Sequence, residues 1–140
     1  AVYLCKNNQL IGAVLLSDFL RKNAVDVILN LKAMNVTPIL MSGDNKNTTR
    51  NIAAKAGIDN YKYDCLPEDK SNYIKELQLN DKKVAMIGDG LNDAPSLKKA
   101  NVGISMGSIG SDISIEASNI TLIHDNISDL PIYLNYQERL

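Results

Sequence analysis

An apolar run, Val84-Ala85-Met86-Ile87, breaks into Gly88-Asp89-Gly90-Leu91-Asn92-Asp93, and this junction restricts the chain to a narrow set of folds. Four apolar residues stopped by glycine read as a buried strand of a parallel sheet. Open α/β sheets place their ligand sites at the carboxyl ends of such strands, so Asp89 and Asp93 are expected at a site. Gly88 and Gly90 let the backbone turn and approach a ligand with no Cβ in the way. Hard carboxylate oxygens suit Mg²⁺, which takes one or two of them and completes its shell with water and phosphate. The competing reading is ordinary turn chemistry, with Asn92 or Asp93 capping a helix that has Pro95 in its first turn.

The rest of the chain fits the same frame. Short apolar runs at 10–16, 38–41, 84–87, 102–105 and 120–123 alternate with amphipathic stretches at 23–34, 47–56, 68–79, 94–99, 111–117 and 127–137. That alternation predicts an α/β fold, a Rossmann-like, three-layer arrangement of a mostly parallel sheet covered by helices. Ala24, Val27, Ile28, Leu31 and Met34 recur at helical spacing, which makes them a core stripe. Gly57, after the small-residue stretch ending at Ala56, is placed to cap a helix C-terminus. No repeat, low-complexity block or interdomain linker interrupts the 140 residues.

A chain of this length buries about 68–70% of its unfolded surface as one domain. Fifteen Lys and Arg against sixteen Asp and Glu leave a net charge of −1, with no basic run, which argues against nucleic acid as a partner. Cys5 and Cys65 are isolated and His124 is the single histidine, so the sequence offers neither a zinc motif nor a disulfide framework. Both cysteines are expected to be small core residues. The longest apolar stretch, Ile11 to Leu16, is too short to cross a bilayer. The chain does not start with Met, which suggests a piece of a larger protein.

Two more junctions carry chemistry. Ile39-Leu40-Met41 runs into Ser42-Gly43-Asp44-Asn45 and then a helix, so a hydroxyl and turn N–H groups could cradle phosphate oxygens there. The alternative is that Ser42 or Asp44 merely caps the helix. In Leu66-Pro67-Glu68-Asp69-Lys70, Pro67 suits a first helical turn and the two acids suit its positive end. Lys70 then emerges toward the sheet edge, where a phosphoryl site needs a compact cation. A lysine in that position is otherwise a solvated surface charge.

Ser42, Lys70, Asp89 and Asp93, each at a βα junction and in this order, resemble the pattern of the haloacid-dehalogenase-like superfamily. The longer strings GDGLNDAPSL, SGDN and LPEDK, with the segment from Lys98 to Pro131, resemble P-type cation-transporting ATPases of the heavy-metal branch, covering roughly Ile11 to Pro131. The tail around Ser108-Ile109-Gly110-Ser111-Asp112 looks more like zinc, cadmium or lead pumps than copper pumps. The resemblance implies that Ser42, Gly43 and Asp44 hold a phosphoryl group, with serine where threonine is usual. It implies that Lys70 contacts an aspartyl phosphate, that Asp89 and Asp93 serve Mg²⁺, and that Asn92 supports the metal and the nucleophile's surroundings. Asp18 resembles the hinge aspartate between the phosphorylation and nucleotide-binding domains; a strand-end cap is its plainer reading.

Those pumps phosphorylate an aspartate in Asp-Lys-Thr-Gly-Thr, a string this chain lacks: Asp69-Lys70-Ser71 and Asp81-Lys82-Lys83 both fail after two residues. The resemblance therefore implies a partial phosphorylation domain. Residues 1–17 would leave the nucleotide-binding domain and form a first strand, 18–131 would form the catalytic core, and 132–140 would lead toward a membrane helix. ATP would arrive through the nucleotide-binding domain. The other partners would be the transmembrane domain and the transported heavy-metal cation, at the cytoplasmic side of a cell membrane. A sheet without the nucleophile's strand is expected to expose a central edge. A soluble phosphatase of the superfamily and a non-catalytic module of the same fold are the alternative functions.

Overall fold

The computed structural model describes residues 2–6, 9–14, 20–88, 91–107, 112–124 and 126–137; Asp18 and Asp89 lie outside them. The chain opens with an antiparallel hairpin, β1 (Val2–Lys6) and β2 (Gln9–Val14), whose register shifts between Leu4 and Cys5. The βα alternation follows: α1 (Ala24–Ala33), β3 (Ile39–Met41), α2 (Lys46–Ala56), β4 (Asn60–Lys62), α3 (Pro67–Leu79) and β5 (Ala85–Gly88). A 3-10 turn at Leu91–Asp93 leads to α4 (Ala94–Lys99), β6 (Val102–Met106), α5 (Asp112–Glu116) and β7 (Ile120–Leu122). A second 3-10 turn, Ile127–Asp129, enters α6 (Leu130–Gln137).

The expected parallel sheet is present as two separate ladders. β3 pairs with β4, and β5 pairs with β6, which pairs with β7, all parallel; no pairing joins the two sets among the described residues. β4 falls outside the apolar runs of the sequence, and β1, Val2-Tyr3-Leu4-Cys5-Lys6, is an apolar stretch that the βα alternation does not use. β4 is Asn60-Tyr61-Lys62, and pairing with β3, not apolar content, makes it a strand.

Burial follows the ladders. β6 is buried along its whole length because it has a strand on each side and α4 against it. Val27 and Leu31 from α1 pack with Val102, Ile104, Met106, Leu122 and Leu130 into the main core, with Ile28 at its margin. The apolar strand β5 departs from the expected burial: Ala85 and Ile87 are exposed, Ile87 to 38%. Among the described residues β5 has a strand neighbour on one side only, and it is less covered than β6, which has one on each side. Cys65 is likewise only half-buried, its thiol directed at the Tyr63 carbonyl oxygen 3.6 Å away.

Buried hydroxyls are paired. Ser105 on β6, with no exposed surface, reaches Ser118 Oγ at 2.9 Å and Thr121 Oγ1 at 3.0 Å.

The helix ends explain the local sequence. Asn45 caps α2, its side-chain oxygen accepting the Thr48 N–H at 3.1 Å. Gly57 closes that helix at φ 73°, a left-handed conformation that favours glycine. Asn45→Ala is expected to cost about 1 kcal/mol, read as a shift in the denaturation midpoint of the catalytic domain that contains this chain.

Candidate active site

Lys70 and Asp93 form the centre of the site. Lys70 lies in the first turn of α3, which starts at Pro67 and whose Asp69 carboxylate accepts the Leu66 N–H at 2.8 Å. Its ammonium donates to Asp93 Oδ1 at 2.7 Å, across 23 residues of sequence, and the two side chains are only 15% and 12% exposed. Asp93 stands at the N-cap position of α4, yet its side chain makes no capping bond. The carboxylate is committed to the lysine, not to the helix, so the capping reading of Asp93 fails and the solvated reading of Lys70 fails with it.

A hydroxyl contact lies beside the pair. Ser71, beside Lys70, meets the fully buried Ser96 Oγ at 3.1 Å, one helical turn beyond Asp93. This hydroxyl pair holds the start of α3 on α4. Sequence reasoning passed over it; the available signal was a serine within one helical turn of each charged residue, on helices that both carry proline in the first turn.

The Ser42 turn forms a second group. Ser42 Oγ accepts the Asp44 N–H at 3.1 Å and donates to Asp44 Oδ2 at 2.8 Å. Ser42 is half-buried, while Gly43 and Asp44 are exposed. Neither Ser42 nor Asp44 caps α2; Asn45 does. The turn is tied to α3 through the backbone: Cys65 N donates to Ser42 O at 2.9 Å, and Asp64 N to Asp44 O at 2.8 Å. Four residues separate Cys65 from Lys70. The tie therefore fixes the Ser42 turn to the segment that launches the lysine.

Asn92 lies exposed in the 3-10 turn before α4. Asp18 and Asp89 fall outside the described residues. No cluster of three or more His, Cys, Asp or Glu occurs among the described residues. The donors available beside Lys70 are hard carboxylate oxygens, the type that binds Mg²⁺ with water and phosphate completing the shell.

The parallel α/β unit thus carries a hydroxyl turn after β3 and a part-buried lysine–aspartate pair that joins α3 to the junction after β5. The chain belongs to the haloacid dehalogenase-like hydrolases, whose family model matches residues 1–101. Within that class it is similar to heavy-metal P-type ATPases. A copper-exporting P-type ATPase of Staphylococcus aureus (strain bovine RF122 / ET3-1) is 42% identical over 131 residues, 94% of this chain and 16% of the relative. The solved zinc-transporting PIB-type ATPase in its E2.Pi state superposes with a TM-score of 0.82 at 34% identity, covering 98% of this chain and 23% of that one. The catalytic domain of the CPx-ATPase CopB-B gives 0.79 at 36% identity, covering 84% of this chain and 46% of that domain. The chain thus spans about a sixth of the curated copper relative's length.

Proposed function

We propose that this chain is the later part of the phosphorylation domain of an ATP-driven heavy-metal pump, supplying the phosphate- and Mg²⁺-binding groups but not the nucleophile. The observation that carries the reading is the part-buried Lys70–Asp93 pair, which joins the start of α3 to the junction after β5. A buried ammonium beside a carboxylate is costly to maintain for stability alone, but it suits a site where phosphoryl oxygens must be neutralised.

In this reading an upstream aspartate attacks the γ-phosphorus of ATP in line. The new bond joins a carboxylate oxygen to phosphorus, the bond to the ADP oxygen breaks, and water later hydrolyses the acyl phosphate. The Ser42 hydroxyl and the N–H groups of its turn hold the transferring oxygens. Lys70 has three N–H donors, one of which Asp93 Oδ1 engages, and the ammonium neutralises the charge that develops on the phosphoryl group. Asp89 and Asp93 would hold Mg²⁺, with Asn92 supporting them; the bound cation would supply further neutralisation of the phosphate charge. Asp18 would serve the hinge toward the nucleotide-binding domain. The strand that carries the nucleophile would complete the sheet at the unpaired edges of β3 and β5, consistent with the two separate ladders and with the exposed Ile87. The two ladders favour this reading over a complete soluble phosphatase.

The cargo is a heavy-metal cation, and the relatives divide between copper and zinc transporters. The membrane, nucleotide-binding and transport parts belong to the full-length protein; no helix among the described residues is long and apolar enough to cross a membrane.

The full-length protein is expected to form an acid-stable, hydroxylamine-sensitive phosphoprotein from ATP, stimulated by its cargo. Failure to label with any of copper, zinc, cadmium or lead would overturn the reading.

A further inference from the structure

Gly88 is the last residue of β5, is buried, and lies opposite Ser105 in the ladder. A Cβ at this position would stand 2.6 Å from Asp93 Cβ, 2.9 Å from Asp93 Oδ2 and 3.0 Å from Asp93 Cγ. Carbon atoms in contact sit about 3.5–4.0 Å apart, so the space that a side chain on residue 88 would take is the space the aspartate occupies. The nearest atom is decisive. Because it is the Asp93 Cβ and not the tip of the carboxylate, no rotamer change of Asp93 relieves the clash, and the 3-10 turn Leu91–Asp93 itself must move.

We infer that Gly88 is a positioning residue for the Lys70–Asp93 pair: its missing side chain seats Asp93 against the strand end, within 2.7 Å of the lysine ammonium. The requirement is for volume, not for backbone freedom, since Gly88 is not among the glycines with positive φ. Any other residue lifts Asp93 off β5 and separates it from Lys70, which the Ser71–Ser96 contact keeps on α4. A misplacement of about 1 Å at a reacting group can cost on the order of 10²-fold in rate. The significance for the reaction rests on the phosphoryl-transfer reading; the geometry does not.

The test compares Gly88→Ala with the parent in the full-length protein. Each is labelled at one fixed pH with an amine-acylating reagent, and the peptides are quantified by mass spectrometry. Lys70 should label severalfold faster in Gly88→Ala, with the exposed Lys75 and the other lysines unchanged. Phosphoprotein formation from ATP should fall while nucleotide affinity stays the same. In an Asp93→Gly background, which removes the clashing Cβ, adding Gly88→Ala should change Lys70 labelling no further. If Gly88→Ala alone does not fold, the double variant should be as stable as Asp93→Gly alone.

Unchanged Lys70 labelling in Gly88→Ala, an equal rise at every lysine, or a double variant less stable than Asp93→Gly alone would each overturn the inference. Faster Lys70 labelling in a protein that never forms a phosphoprotein would leave Gly88's positioning role intact and remove the pump reading instead.

Discussion

Lys70→Met is expected to lower the stability of the catalytic domain by about 1–3 kcal/mol, between the loss for an exposed pair and that for breaking a fully buried one. Exposure places the figure. With side chains 15% and 12% exposed, neither member can recover much solvation when the other is gone, whereas a surface pair contributes about 0–1 kcal/mol. Methionine keeps most of the stem's volume, so packing loss is a minor part of the effect. Lys75→Met, at an exposed position on the same helix, should stay within about 0.5 kcal/mol of the parent. Denaturant midpoints of the two variants measure the contrast. In the full-length protein the same Lys70→Met change should also reduce phosphoprotein formation by about 10²–10³-fold, the loss typical of one preorganised electrostatic donor. Equal midpoints for the two variants would mean that the ion pair carries no weight in the fold.

Asp89→Ala should abolish Mg²⁺-dependent phosphorylation altogether. It would remove one of the two carboxylates proposed to hold the cation, and Asp93 is already bound to Lys70, so no second free-standing carboxylate takes its place in the junction after β5. Radiolabelling with ATP over a Mg²⁺ series distinguishes a lost site from a weakened one. A merely weakened site would recover at high Mg²⁺. Normal labelling of Asp89→Ala would take Asp89 out of the chemistry and leave the cation to other ligands.

Much of this arrangement was readable before any coordinates. Val84 to Ile87 and Val102 to Ser105 announced themselves as strands because a βαβ interior needs continuous apolar runs, and β5 and β6 lie there with shifts of one residue at their ends. α4 falls on the expected 94–99, where Pro95 marks its first turn. β4 was not legible: Asn60-Tyr61-Lys62 is polar at both ends, and only its pairing with Ile39, Leu40 and Met41 makes it a strand. β1 was missed for a different reason, since an antiparallel hairpin stands outside the βα alternation, although Asn7-Asn8 between apolar runs was a usable turn signal.

At the site, residue types were legible and partnerships were not. Asp93 was as plausible a helix cap as a site residue until Lys70 was found on it, because a contact across 23 residues is set by how α3 packs on α4 and leaves no local mark. Ser42 and Asp44 show the same limit. Their bonds are to each other, and the cap they were candidates for belongs to Asn45, a few atoms further along the chain.

The hydroxyl triplet on β6 and β7 reaches further than its own strands. Sliding β7 by two residues would keep its apolar side chains on the same face but would set Ile123, in place of Thr121, beside the sealed Ser105 oxygen. Ser105 would keep Ser118 but lose one hydrogen bond, worth about 0.5–1.5 kcal/mol, so apolar residues that would accept either alignment are biased toward this one. Ser105 is also the partner of Gly88 in the next pairing. An alignment decided two strands away thus dictates the height at which Asp93 meets Lys70.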